Sequence, residues 1–278
     1  MSFKTVKHPV NGRMYCVPTT DEHTMRLLGV LDHGTGYRWQ ALIANTFRDS
    51  FYQHSDLQGC AIDAGAHIGM NTIEYSDLFK HVYAFEPVPS VFNALQNTVQ
   101  SNMCNNVTAH NMALGQFDST TTMCYDETNT LATHKKNTKN RRGHSVEVQV
   151  AKLDSVIPAD ADIRFLKVDC EGMELSVLRG AQQILQRCAP VVQFEYKPNL
   201  MRKDQAYDLE IFDYLTLQGY TIVNKFAREV DHNSIQDHRV NIVPMHKDLQ
   251  AGTAPTYCDF FAVKHRQCRY KGGRFVWQ

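Results

Sequence analysis

The stretch Gly59-Cys-Ala-Ile-Asp63-Ala-Gly65-Ala-His67-Ile-Gly69-Met-Asn-Thr72 constrains the fold more than any other part of the chain. Its short apolar run, Cys60 to Ile62, reads as a buried strand that ends in Asp63 and a glycine-spaced turn. Helical periodicity starts near Gly69, with Met70, Ile73 and Leu78 at helical spacing. Strand, glycine turn and helix are the opening unit of a doubly wound, nucleotide-binding α/β sheet. Gly65 and Gly69 are expected to permit the tight turn and to let a ligand approach the backbone closely.

The turn also discriminates between ligands. A dinucleotide fingerprint, G-x-G-x-x-G, would need glycine at 67 and 70, where this chain has His67 and Met70. Asp63 would repel a phosphate and suits a cationic ligand. Twenty-three residues beyond Asp63, His81-Val-Tyr-Ala-Phe-Glu86 reads as a second strand ending in an acid, where such folds bind ribose hydroxyls. An acidic first turn with a ribose acid predicts S-adenosylmethionine (SAM), which has no phosphate and carries an ammonium and a sulfonium. The expected cofactor residues are Asp63, Gly65, Ala66, His67, Gly69 and Glu86. Asn111, at the end of a third strand from Asn106, falls where an adenine would lie, and a turn role accounts for it equally well.

At 278 residues the chain can fill one large domain with an appendage. Residues 1–35 read as a small β appendage, with a hairpin turn at Asn11-Gly12 and a strand from Met14 to Val17. Residues 36–264 hold the main domain, beginning with a helix on which Trp39, Ile43 and Phe47 share a face, and residues 265–278 form a basic tail. Formal net charge is zero, so no global field points to nucleic acid or membrane. No apolar run approaches a membrane span, and the N-terminus lacks a signal-peptide core. The eight cysteines include no C-x-x-C pair, which fits reduced thiols in a cytoplasmic protein. Residues 134–144 carry five cations in eleven residues and read as a solvated basic loop, able to collect an anionic sugar or nucleic acid. Further strands are expected at Ser145–Val150, Arg164–Val168, Pro190–Tyr196, Thr221–Val223 and Asp259–Val263. One amphipathic helix is expected to carry Val177, Leu178, Ala181, Ile184 and Leu185. A long insertion at 227–257 suggests a lid, and its histidines lack metal-ligand spacing, so no metal is expected.

Asp63-Ala-Gly-Ala-His-Ile-Gly69 with Thr72, Phe85-Glu86-Pro87, Leu153-Asp154, Lys167-Val-Asp169-Cys-Glu171-Gly172 with Glu174, Gly180 and Ala181, and Phe194-Glu195 together resemble the FkbM family of methyltransferases. The resemblance covers about residues 36–225. It implies a class I methyltransferase fold, a Rossmann-like sheet of seven mostly parallel strands with a reversed last strand, and SAM as methyl donor. It also implies O-methylation of sugars or other small hydroxylated molecules. The family usually has Asn where this chain has His67.

Methyl transfer to a hydroxyl needs the acceptor oxygen held in line and its proton removed. The carboxyl ends of parallel strands select Asp169 as general base and Glu195 as positioner or alternate base. Lys197 and His144 are expected on the acceptor side, and Glu171 and Glu174 as helix-start acids. Two other readings stay open. One is a nucleic-acid ribose methyltransferase using the basic loop and the Cys268–Arg274 tail, against which the zero net charge argues. The other is a non-catalytic SAM-binding protein. Oligomeric state is open.

Overall fold

The computed structural model describes residues 2–9, 11–28, 59–126, 129–135, 144–196, 209–224, 229–230, 259–264, 268–271 and 274–277. Strands β1 (Phe3–Lys7) and β2 (Met14–Pro18) pair antiparallel across the predicted Asn11-Gly12 turn, where Gly12 takes a φ of 70°. A short helix follows, α1 (Glu22–Leu27). The predicted helix around Trp39, Ile43 and Phe47 lies outside the described residues.

The strand–turn–helix unit is β3 (Cys60–Ala64) and α2 (Met70–Leu78). Next come β4 (His81–Phe85), α3 (Pro89–Ser101), begun by a proline that loses no helical hydrogen bond there, and β5 (Val107–His110). The hairpin docks on α3 through polar pairing. Asn102 accepts Met14 N–H at 3.0 Å and donates to the Met14 carbonyl at 2.6 Å, while Thr98 Oγ1 accepts Cys16 N–H. Asn102 thus satisfies a strand edge as a neighbouring strand would.

Strands β6 (Ala113–Leu114), β7 (Ser119–Asp126), β8 (Asn129–Lys135) and β9 (His144–Ala151) make a separate four-stranded sheet, ordered β6-β9-β7-β8. The loop expected at 134–144 is therefore shorter at both ends. His134 pairs with Cys124 and His144 with Tyr125, because the threonine-rich run before it is β-prone and recruits both flanks into strands. Residues 136–143 lie outside the described residues.

After α4 (Leu153–Val156) and β10 (Ile163–Val168), the chain forms two helices, α5 (Glu174–Arg179) and α6 (Gln182–Arg187), where the sequence predicted one. The break is at Gly180. A Cβ there would lie 2.0 Å from the Gly115 carbonyl oxygen, so backbone presses where the helix would continue. Asp154 then caps the restarted helix, accepting Gln183 N–H at 2.8 Å and Ile184 N–H at 3.0 Å.

The chain closes with β11 (Val191–Glu195), α7 (Glu210–Leu217), β12 (Thr221–Asn224), β13 (Asp259–Val263) and a hairpin of β14 (Cys268–Lys271) and β15 (Arg274–Trp277), where a tail was expected. The main sheet is ordered β12-β13-β11-β10-β3-β4-β5. β13 runs antiparallel to both neighbours, and the other pairings are parallel. This is the expected class I topology, and strand order reverses between β3 and β10. One sheet face buries Ile62, Leu166, Val192 and Phe194 against α5, α6 and α7. The other begins as an apolar layer of Ala61, Phe165 and Val191 against Tyr75 and Phe79. Each large apolar side chain so buried contributes about 1.5–3 kcal/mol. No described helix is long and apolar enough to cross a membrane.

Candidate active site

The second sheet face changes character one step toward the carboxyl edge. Alternation places Asp63 two residues beyond Ala61 and Lys167 two beyond Phe165, on the same side. Register aligns Lys167 with Asp63 on β3 and with Gln193 on β11. All three are buried. The apolar layer thus gives way to a polar one where strand order reverses, the place at which such sheets bind ligands.

Asp63 is fully buried. Its Oδ2 accepts the Thr72 hydroxyl at 2.6 Å, and Oδ1 lies 3.2 Å from Lys167 Nζ. The expectation of an acid facing a cationic ligand needs correction. Both oxygens of Asp63 face protein groups beneath the turn, because Lys167 supplies the cation. Lys167 also reaches Asp169 Oδ2 at 3.5 Å and donates to the Gly65 carbonyl at 3.2 Å. Burial pulls the Lys167 pKa down, but the Coulombic pull of Asp63 and then Asp169 outweighs it and raises the ammonium above its ordinary range.

The turn after β3 folds back on β4. Gly65 and Ala66 N–H groups both donate to the Phe85 carbonyl, at 3.1 and 2.9 Å. His67 has a φ of 52°, a left-handed conformation that Asn and His adopt more readily than most residues. His67 and the Asn usual in the family it resembles are thus both residues that this backbone tolerates. Gly65 and Gly69 have φ of 81° and 93°. A Cβ on Gly65 would meet the Asp169 carbonyl oxygen at 1.9 Å, and one on Gly69 would meet Leu95 at 2.8 Å. On their Cβ side, the close approach these glycines permit is to the protein itself.

Glu86 closes this turn from the end of β4. Its Oε2 accepts His67 N–H at 3.1 Å and Oε1 accepts Val88 N–H at 2.9 Å. Burial pushes its pKa up to about 7, against the two backbone hydrogen bonds that lower it. Each oxygen keeps a second acceptor position, so the vicinal hydroxyls of a ribose fit this carboxylate. Asn111 donates to the carbonyls of Glu86 and Pro87, at 2.9 and 3.0 Å, and so fixes the turn beside the ribose acid. The arrangement suits SAM in that Glu86 offers acceptor positions to a ribose.

The turn after β10 builds the facing wall. Asp169 leaves the strand with its N–H bonded to the Ala64 carbonyl at 3.1 Å and its side chain 38% exposed. Glu171 has a φ of 51° and Gly172 one of 93°. Glu174 Oε1 accepts Cys170 N–H at 2.9 Å and Gly172 N–H at 3.1 Å, so the expected helix-start acid closes this turn. Glu171 differs from that expectation. Asp169, Glu171 and Glu195 each bring one carboxylate oxygen within 4.8 Å of the others. The left-handed backbone at Glu171 turns it away from the helix toward its acidic neighbours. Such a group can receive an acceptor hydroxyl, a cationic substituent or a cation.

The structure brings the carboxylates of Asp169 and Glu195 together, with Glu171 beside them and Lys167 and Thr72 on the adjoining turn. Strand parity signals Lys167, since it lies two residues before Asp169 and two beyond a buried Phe. His144 stands apart, exposed in the four-stranded sheet with its ring 5.5 Å from Tyr125. Lys197 and most of the 227–257 insertion lie outside the described residues.

The model of the Methyltransferase FkbM domain matches residues 63–222. A curated relative, Methyltransferase 1 of Beauveria bassiana, is 29% identical over 141 residues, covering 43% of this chain and 57% of the relative. The chain thus matches little more than half of that protein's length. Among solved structures, Methyltransferase FkbM from Methylobacillus flagellatus overlaps 75% of this chain and 52% of its own, with 18% identity and a TM-score of 0.44. Magnesium protoporphyrin IX methyltransferase from Synechocystis, solved with bound SAM, overlaps 82% and 78%, with 12% identity and a TM-score of 0.42.

Proposed function

The chain belongs to the FkbM methyltransferase family, and its cofactor is SAM; from that premise we propose that it methylates a hydroxyl oxygen of a small molecule, a sugar or glycan. The observation that carries this reading is the acidic wall opposite the cofactor turn, in which Asp169, Glu171 and Glu195 converge. When bound, SAM supplies an electrophilic methyl group on a sulfonium.

Everything else falls to the protein. Glu86 and the turn from Gly65 to Gly69 hold the ribose side, and orientation of this kind is worth about 7–11 kcal/mol in favourable cases. Asp169 reaches solvent at the carboxyl edge and takes the proton from the acceptor hydroxyl. Glu195 and Glu171 accept hydrogen bonds from neighbouring hydroxyls and set the acceptor's angle. A polyol satisfies several clustered carboxylates at once. A phosphodiester is repelled by them, which disfavours nucleic acid and favours a neutral or cationic sugar over an anionic one.

The test has two stages. Calorimetric titration of the folded protein with S-adenosylhomocysteine (SAH) is expected to show saturable binding, and its absence would overturn the cofactor reading. Radiolabelled methyl transfer is then scanned over neutral sugars, amino sugars, acidic sugars and RNA. Methylation of RNA alone, with salt-sensitive affinity, would replace the acceptor class.

A further inference from the structure

A buried lysine is unusual on a central parallel strand, because its ammonium gives up water there. Lys167 is 4% exposed on β10, which has β3 on one side and β11 on the other. Its three contacts belong to three parts of the site: Asp63 beneath the first turn, the Gly65 carbonyl within it, and Asp169 at the start of the second. Two backbone contacts run beside them. Asp169 N–H donates to the Ala64 carbonyl, and the Asp169 carbonyl occupies the space a Gly65 Cβ would need. Buried ion pairs add little net stability compared with well-packed apolar side chains, so fold stability alone does not call for this lysine.

The geometry points to Lys167 as a positioning residue that couples the cofactor turn to the proton-accepting carboxylate. Its ammonium holds one oxygen of Asp169 at a set distance from both the acid and the carbonyl of that turn. Cofactor occupancy and the orientation of Asp169 therefore change together. Lys167 itself touches neither cofactor nor acceptor in this role. The role of Asp169 rests on the methyltransferase reading, but the coupling is measured on SAH binding alone and needs no acceptor.

SAH is titrated by calorimetry into wild type, K167Q, K167R, D169N, K167Q/D169N and K167R/D169N, with thermal unfolding recorded for each. Allosteric couplings commonly span about 5- to 150-fold, so D169N is expected to change SAH affinity about fivefold when Lys167 is present and less than about 1.5-fold in the K167Q background. K167Q should weaken SAH by about tenfold and K167R by less, since arginine keeps the charge. A folded K167Q with wild-type SAH affinity would make the lysine merely structural and overturn the inference. An equal effect of D169N in both backgrounds would do the same. Should K167Q not fold, the charge-balanced K167M/D63N pair replaces it, with and without D169N: an undiminished D169N effect in that background removes the coupling, and a lost one sustains it. Wild type that fails to bind SAH instead removes the cofactor reading on which the inference stands.

Discussion

The turns after β3 and β10 share backbone features and differ in dependence. Each has a non-glycine residue in the left-handed region, His67 at φ 52° and Glu171 at φ 51°, and a glycine at φ 93°, two residues on in the first turn and directly after in the second. Each is closed by a buried glutamate that accepts two backbone N–H groups. In the first turn that glutamate is Glu86, nineteen residues from His67 and just past the end of another strand. In the second it is Glu174, four residues from Cys170 and on the turn's own helix. A turn closed from outside depends on the pocket it lines, so cofactor occupancy and turn shape are linked. A turn closed from within holds its own backbone shape, and its carboxylate at Asp169 is tied to the first turn through Lys167.

Where the two turns meet, they should fail together. Gly65→Ala sets a Cβ against the Asp169 backbone at a φ of 81°, and unfolding in urea should show a loss of at least about 4 kcal/mol. A mild effect would mean the turns are not in contact. Asp169→Asn should lower the methyl-transfer rate by about 10²–10⁴, the usual yield of general-base catalysis, with only a several-fold change in SAH affinity. A rate loss shared by Glu195→Gln but not Asp169→Asn would move the base to the neighbouring strand.

The glutamates separate the turns most directly. Glu86→Ala orphans two backbone N–H groups and removes the ribose acceptor, so SAH affinity should fall about 100-fold. Glu174→Ala orphans two N–H groups as well and should lower stability by about 1–3 kcal/mol, with SAH affinity within about threefold of wild type. Equal loss of SAH binding in both variants would break the comparison.

Because burial raises Glu86 to about 7, it is ionised above that pH, with full capacity to accept from the hydroxyls of the proposed ribose. As pH falls through about 7 the carboxyl takes a proton and loses acceptor capacity, so SAH affinity should drop by up to about tenfold per pH unit. Protonation also favours the folded state, whose Glu86 pKa lies above the unfolded value, so this residue stabilises the fold as pH falls from about 7 toward 4.5. Glu86→Gln should flatten the affinity profile, as followed by calorimetry from about pH 5.5 to about pH 8.5. The smallest effect belongs to His67→Asn, which keeps a side chain tolerant of positive φ. Its unfolding free energy should shift by no more than about 0.5 kcal/mol in a thermal melt, whereas His67→Val should cost about 1–3 kcal/mol.

Local pattern determined much of this molecule. The apolar run at Cys60–Ile62, the glycine-spaced turn and the acid ending His81–Glu86 place a doubly wound sheet and a carboxylate at the end of its second strand, since strand period, turn sterics and strand-end chemistry are properties of neighbouring residues. Asp169 and Glu195 were legible as strand-end acids for the same reason. Tertiary structure decided what those residues face. Asp63 looks in sequence like an acid offered to a cation, yet it is buried under Thr72 and Lys167, because register sets Lys167 opposite it on a strand about a hundred residues later. Glu171 reads as a helix-start acid but turns to its acidic neighbours through a left-handed backbone that no periodicity reveals. The helix predicted across Gly180 breaks because the Gly115 backbone, just beyond β6, presses on it. In each case the deciding contact joins residues far apart in the chain, and steric exclusion and charge pairing act through space.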